Sequence, residues 1–474
     1  MRICVILEGC YPYVTGGVST WIHQYMQAMP QHEFVVWAVG ASSEDQGKFR
    51  YTLPDNVVEV REVFLNDALT MGFRKQNYHF SPEELEALHE FINCRKPNWE
   101  LLFSMYHDRG ISPISFLMSE DFLRILTNIC QEEYPYAAFS DLFHTVRSMM
   151  LPVLYILQSE VPKADVYHSI ATGYSGILAR LGSYLYHVPY LITEHGIYTR
   201  EREEEIIRAK WVLPAFKRFW VRFFYMLSDG AYQKASLVTS LFERAMEIQV
   251  SMGCARDKCR YISNGIHYER FCNIPPKKDN GYVDIGAVLR IAPIKDVKTL
   301  IYAFSQLKKR VPKARLFIAG PEDDKVYAKE CYDLAEQLAV SDLVFLGTIN
   351  VLEYMEKFDF TMLTSLSEGQ PLAVLESFAA GRPCVTTDVG CCKELIGGMT
   401  GDNLGLAGYC VPPMNREAIC DAMEQMCVKV EERYKMGLTA RRRVEIYYRH
   451  GDMINHYLEA YSEVFERWQA SDSA

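Results

Sequence analysis

No stretch of the 474 residues reaches the roughly 18 consecutive apolar residues that a helix needs to cross a bilayer, which excludes an integral membrane segment. The opening Met1-Arg2-Ile3-Cys4-Val5-Ile6-Leu7-Glu8 is too short for a signal-peptide core and is broken by a carboxylate. A basic excess is missing too. The formal net charge of -10 argues against nucleic acid as a partner, because phosphate neutralisation demands a positive balance. The 14 cysteines show no zinc-ligand spacing, and the close pairs Cys254/Cys259 and Cys391/Cys392 fit no such pattern. With no export signal, they are expected to be reduced thiols of a cytoplasmic protein. Also absent are a Gly-x-Gly-x-x-Gly fingerprint, a phosphate loop of the Gly-Lys-Ser/Thr type and an aspartate-rich metal motif. No solenoid repeat or low-complexity tract replaces them.

What is present is an ordinary globular composition, 49% hydrophobic and 23% charged, in a chain long enough for two or three domains. Strands are expected at Ile3 to Leu7 and Phe34 to Val39, separated by a glycine-containing turn and a helix from Val18 to Met29. Strand, loop and helix in that order build parallel sheets. The pattern is irregular from about 42 to 165, too long for a simple connection, and reads as an inserted or elaborated region. Alternation resumes with strands at 165–168, 189–193, 237–240 and 260–264, and 273–281 has the composition of a linker. A second alternating series has strands at 283–289, 315–319, 343–346, 360–364 and 383–387. The expected fold is therefore α/β, two doubly wound Rossmann-like domains facing across a cleft. Their expected bounds are 1–272 and 282–440, with a C-terminal helical tail over 441–474 crossing back onto the first domain.

Open α/β sheets bind ligands at the carboxyl ends of their strands, so residues there carry the chemistry. Glu368 lies in the loop after strand 360–364, and Glu376 lies in the helix expected to begin near Pro371. A helix N-terminus with free N–H groups suits a phosphate, and flanking carboxylates suit sugar hydroxyls. Arg290 and Lys295 follow the first strand of the second series, where two fixed cations can neutralise a diphosphate in place of a metal. Gly16 and Gly17 lie between the first strand and first helix, and His195 follows strand 189–193 beside Glu194. Asn264-Gly265 closes the first series. Taken singly, each has a plain structural counterpart: a loop acid, a surface ion pair, a tight turn, a satisfied histidine.

Together and in this order, Gly16-Gly17, His195, Asn264-Gly265, Arg290, Lys295 and Glu368-Gly369-Gln370-Pro371-Leu372-Ala373-Val374-Leu375-Glu376 resemble retaining glycosyltransferase family 4, with its two-domain GT-B fold. The resemblance implies a metal-independent transferase that needs no cofactor and takes a nucleotide sugar as substrate. It assigns Arg290 and Lys295 to the donor diphosphate, Glu376 to the ribose and Glu368 to the donor sugar. Backbone at Gly369, Pro371, Leu372 and Ala373 would meet the phosphate, with Gly16, Gly17 and Asn264 also on the donor and His195 near the reacting sugar. Residues 347–354 would lie against the base. The opening Glu8-Gly9-Cys10-Tyr11-Pro12-Tyr13-Val14-Thr15-Gly16-Gly17-Val18-Ser19-Thr20-Trp21, the long insertion over about 42–165 and the 193–203 segment are similar, more narrowly, to the glycosyltransferases of bacterial Pel exopolysaccharide biosynthesis. That similarity implies a UDP-sugar donor, a polysaccharide acceptor and a cytoplasmic enzyme at the inner membrane beside a polysaccharide synthase complex. It leaves glucose against N-acetylhexosamine open. Two alternatives stay open as well, a UDP-sugar 2-epimerase of the same architecture and a non-catalytic scaffold that keeps the donor site.

Overall fold

The structure is a computed structural model that describes residues 1–73, 76 and 78–472. Residues 74, 75, 77, 473 and 474, which fall in the 42–165 stretch and the C-terminal tail, lie outside the described residues. The chain forms two compact units, Met1–Tyr261 with Tyr457–Ala474, and Ile262–His456.

In the first unit β1 (Arg2–Glu8), β2 (Glu33–Gly40), β3 (Val57–Phe64), β4 (Val166–Ser169), β5 (Tyr190–Glu194), β6 (Leu237–Ser240) and β7 (Cys259–Tyr261) form one parallel sheet. Its order is β3-β2-β1-β4-β5-β6-β7. Ile3 to Leu7 are all buried, as expected of a strand covered by helices on both faces. In the second unit β8 (Val283–Val288), β9 (Ala314–Ala319), β10 (Leu343–Gly347), β11 (Phe360–Leu363), β12 (Cys384–Thr387) and β13 (Gly408–Val411) are parallel in the order β10-β9-β8-β11-β12-β13. Both sheets reverse direction of growth next to their first strand, between β1 and β4 and between β8 and β11. Each unit is thus an α/β, Rossmann-like domain with a switch point where connections leave in opposite directions. Among the described residues no helix is long and apolar enough to cross a membrane.

The structure departs from the sequence reading in four places. The 42–165 stretch begins with β3, an edge strand of the main sheet, before its helices Pro82–Ile92, Glu120–Glu133 and Phe139–Ile156. β13 is a second strand that the sequence reading left out. The unit boundary falls after Tyr261, ahead of the 273–281 segment, so Asn264 and Gly265 belong to the second unit. Backbone hydrogen bonds explain this: Ile266 N–H donates to the Tyr448 carbonyl and His450 N–H to the Ile266 carbonyl, both at 2.9 Å. Gly265 approaches so closely that a Cβ there would lie 2.3 Å from the Arg449 carbonyl oxygen. The same bonds interrupt the C-terminal tail, which is two helices, Val430–Tyr447 and His450–Asp472, where one long pattern was expected.

The last helix begins in the second unit and is grouped with the first from Tyr457 onward. A buried polar network receives it. The Tyr25 hydroxyl donates to Tyr461 Oη at 2.7 Å, and Tyr461 donates to His168 Nδ1 at 2.6 Å. His168 Nε2 then lies 2.8 Å from Thr193 Oγ1, which in turn meets Thr239 Oγ1 at 2.6 Å. Burial lowers the His168 pKa to about 3, so the ring is neutral, and the network fixes its proton on Nε2. Tyr461→Phe removes one hydroxyl but strands both the Tyr25 donor and the His168 acceptor. We expect a loss of about 1–3 kcal/mol in unfolding free energy, measured by urea titration.

Candidate functional site

The second unit places its candidate residues at the switch point, on the loops that follow the adjacent strands β8 and β11. After β8 the chain makes a tight turn over Pro293–Lys295, which Asp296 ends in the left-handed region at φ 46. The Asp296 carboxylate caps the next helix, Val297–Arg310, by accepting from Thr299 N–H at 3.4 Å. The β11 loop clasps this turn: Leu366 N–H donates to the Ile294 carbonyl at 2.8 Å and Thr364 Oγ1 to the Lys295 carbonyl at 3.1 Å. Lys295 is thereby turned onto Glu368, with Nζ 2.5 Å from Oε1. The side chains are only 16% and 11% exposed, so the pair is formed away from bulk water. Ser365 Oγ donates to the same oxygen at 2.5 Å, which leaves Glu368 Oε2 without a hydrogen bond.

The backbone under Glu368 depends on one glycine. Gly390 has φ +55, and a Cβ there would lie 2.2 Å from the Glu368 carbonyl oxygen and 2.3 Å from that of Gly369. No other residue combines that conformation with that approach at low cost. Helix Leu372–Ala379 starts directly after this loop. Its cap residue Pro371 supplies no side-chain hydrogen bond, and the N–H groups of Leu372 and Ala373 make none to the protein. One turn later Glu376 is half-buried, and among the described residues its carboxylate makes neither a hydrogen bond nor an ion pair. Burial raises its carboxyl pKa to about 7, against a smaller opposing pull from Arg270. Asn264 packs beside the motif, its N–H donating to Gln370 Oε1 at 2.6 Å, while its own Oδ1 is buried without a partner.

Arg290 does not join Lys295. Its exposed guanidinium pairs at 2.5 Å with Asp323, on the loop after β9. Among the described residues no cluster of three or more His, Cys, Asp or Glu side chains is set to hold a metal ion.

In the first unit, Gly16 precedes helix Gly17–Gln27 with extended backbone and no side-chain cap. A Cβ at Gly16 or Gly17 would meet nothing within 4 Å, so neither the protein's packing nor its backbone requires these glycines. Trp21 of the same helix packs edge-on against His195 with ring centroids 4.4 Å apart. His195 Nε2 is buried and unpartnered, and burial lowers the ring pKa to about 4. Glu194 faces the other way. It accepts from the Tyr232 hydroxyl at 2.5 Å, Gln249 Nε2 at 2.8 Å, and Tyr198 N–H and Thr172 Oγ1 at 3.3 Å, which makes it a structural acid.

Sequence reasoning missed Ser365, Arg270, Asp323 and Gly390. Only Gly390 left a signal, a glycine between a strand and a helix. The others act through loop geometry that spacing does not encode.

Residues 1–257 match the family described as a domain of unknown function (DUF3492), and residues 283–428 match glycosyl transferases group 1. The MMP alpha-(1->4)-mannosyltransferase of Mycolicibacterium hassiacum is 23% identical over 60% of this chain and 67% of its own length. The alpha-monoglucosyldiacylglycerol synthase of Streptococcus pneumoniae is 24% identical over 53% of this chain. This chain spans 57% of that synthase, so the likeness covers only part of the relative. Among solved structures, Anabaena HepE in complex with UDP and glucose aligns with a TM-score of 0.57 at 14% identity, over 97% of this chain and 99% of that one. At that identity the likeness is one of fold.

The raised Glu376 pKa gives a pH-dependent prediction. In the unfolded chain the carboxyl ionises above its ordinary 4.5, and in the folded protein above about 7. The burial penalty is therefore absent below pH 4.5, grows between 4.5 and 7, and is complete above 7. Glu376→Gln should stabilise the protein by up to about 3 kcal/mol at pH 8, and the gain should vanish below pH 4.5. Denaturant titrations across that range check it.

Proposed function

Since the chain belongs to the family described as a domain of unknown function (DUF3492) and carries a group 1 glycosyltransferase domain over 283–428, we propose that it is a retaining, metal-independent glycosyltransferase using a UDP-sugar. The observation that carries this reading is the buried Lys295–Glu368 pair beside an uncapped helix N-terminus. A cation paired to this loop and two free N–H groups at the start of the helix that follows it are the set a diphosphate needs. As the bond from sugar to diphosphate breaks, charge grows on the leaving oxygens. Lys295 and the Leu372 and Ala373 N–H groups stabilise it from fixed positions, so little reorganisation is needed. Arg290, held only by exposed Asp323, is free to turn onto the same diphosphate. These cations do what a divalent ion does elsewhere, and no cofactor is invoked.

The carboxylates take separate roles. Glu376 accepts from the ribose hydroxyls, which supply the hydrogen-bond donors it lacks in the protein. Glu368 offers Oε2 to a hydroxyl of the donor sugar while Oε1 stays with Lys295 and Ser365. In the first unit, Gly16 and Gly17 leave room for a phosphate or sugar, and the neutral His195 ring offers Nε2 to a sugar hydroxyl. Transfer proceeds by front-face displacement, with a leaving phosphate oxygen taking the acceptor's proton. Neither glutamate acts as general base.

The narrower reading follows the sequence similarity to the glycosyltransferases of Pel exopolysaccharide biosynthesis. A hexose or N-acetylhexosamine is added to a growing Pel-type exopolysaccharide by a cytoplasmic enzyme that works beside an inner-membrane polysaccharide synthase complex. HepE, a fold relative solved with UDP and glucose, is consistent with a UDP-linked donor.

The test is a UDP-release screen across UDP-sugars on the intact protein, with product sugars followed by NMR. Lys295→Ala is expected to lower transfer about 10²–10³-fold. Transfer unchanged in Lys295→Ala, or an epimerised sugar with no transfer, contradicts the proposal.

A further inference from the structure

The second unit carries four cations at the end of its sheet opposite Lys295. The segments at 276–277, 358–359 and 381–383 lead into β8, β11 and β12, and they line a cavity of about 220 Å³ at the amino ends of those strands. Helix Val430–Tyr447 completes it with Arg433 and Arg441. Lys277 and Arg382 are the other two cations, and Asp359 is the one carboxylate in the lining.

The charges do not balance. Asp359 accepts from Lys277 Nζ at 2.6 Å and from Arg433 at 3.1 Å, and neighbouring Asp284 pairs with Lys277 at 3.0 Å while also holding Arg315. Those carboxylates are used up. Among the described residues, Arg382 and Arg441 have no carboxylate within ion-pair distance. Arg382, almost fully buried, donates only to the carbonyls of Met355, Ala380 and Pro275. Arg441 donates to the carbonyls of Ala380 and Ile274, and its Nε is buried with no partner. Two guanidinium groups on one carbonyl repel, and burial together with Arg441 lowers the Arg382 pKa to about 10. Buried charges are ordinarily paired, so buried Arg382 beside half-buried Arg441, with no acid on either, lacks a counter-ion.

We propose that this cavity is an anion site that takes a phosphate group, either free phosphate or that of a small phosphomonoester. The volume admits a phosphate with a small substituent and is below the usual range for a drug-sized ligand. Guanidinium forks match phosphate geometry better than any other side chain does. The site has a direct structural link to the other end of the unit. Ala380, whose carbonyl both arginines hold, follows helix Leu372–Ala379, and the far end of that helix presents the Leu372 and Ala373 N–H groups. The helix is about 12 Å long, so an occupant braces one end of the element whose other end faces the switch point.

Thermal unfolding of intact Lys295→Ala protein, in which the diphosphate pocket proposed above has lost its fixed ammonium, tests this, and comparison with Leu438→Glu separates the two sites because that substitution lies in this cavity alone. Inorganic phosphate, compared with chloride at equal ionic strength, should raise Tm by about 2–4 °C at ten times its Kd. The rise should disappear in Arg441→Gln. It should also disappear in Leu438→Glu, which sets a carboxylate at the exposed rim of the cavity and leaves both guanidinium groups in place, so the test survives if the arginine variant does not fold. Glycerol 3-phosphate separates the sources: tenfold tighter binding than phosphate identifies a phosphomonoester site, and equal or weaker binding identifies free phosphate. No shift beyond chloride with either probe, or a shift that persists in Leu438→Glu, overturns the proposal.

Discussion

The buried pair between Lys295 and Glu368 is the interaction on which the second unit's site depends. Removing two charges from water is costly, and a pair that is only 16% and 11% exposed is a weak source of stability. Its value is positional. The clasp between the β8 and β11 loops, made by Thr364 and Leu366, spends backbone hydrogen bonds on holding the ammonium at the switch point. Gly390 lets the β12 loop approach the Glu368 backbone from beneath, and Thr387 Oγ1 donates to the Ser365 carbonyl at 2.6 Å. Three consecutive strand-end loops of the sheet thus converge on one ion pair.

The first unit is built on a different principle. It holds a neutral polar network: a histidine that burial keeps uncharged, two tyrosines and two threonines pass hydrogen bonds from β4 to β6 and onto the last helix. Glu194 is fully engaged beside them. His195 next to it has an open acceptor or donor, and the exposed glycines lie at the start of the helix that carries its packing partner Trp21. The division of labour in the proposed reaction follows from this contrast. The candidate cations Arg290 and Lys295 sit in the second unit, and the candidate His195 of the first is neutral.

Much of the fold was legible because strands buried on both faces must be continuous apolar runs, as Ile3 to Leu7 and Phe34 to Val39 are. β3 was not, since Glu59, Arg61 and Glu62 interrupt it, and an edge strand keeps such residues half-exposed. β13 is four residues long and mostly half-buried, with too little pattern to detect. Helix Phe139–Ile156 was hidden by Pro152, which ordinarily ends a helix. In the site, Lys295 and Glu368 were legible as opposite charges at adjacent strand ends, whereas their direct bond, and the diversion of Arg290 to Asp323, depend on loop paths. Asn264 was read as closing the first domain because chain order put it there. Backbone pairing of its neighbour Ile266 with Tyr448 and His450 decides otherwise.

If the second unit's switch point holds a nucleoside diphosphate, amide hydrogen exchange of the intact protein with and without UDP will register it. Slowed exchange is expected in the β8 and β11 loops, at 290–296 and 364–370, and at the Leu372 and Ala373 amides. UDP binding that leaves those amides unchanged, or no binding of UDP at all, would contradict it.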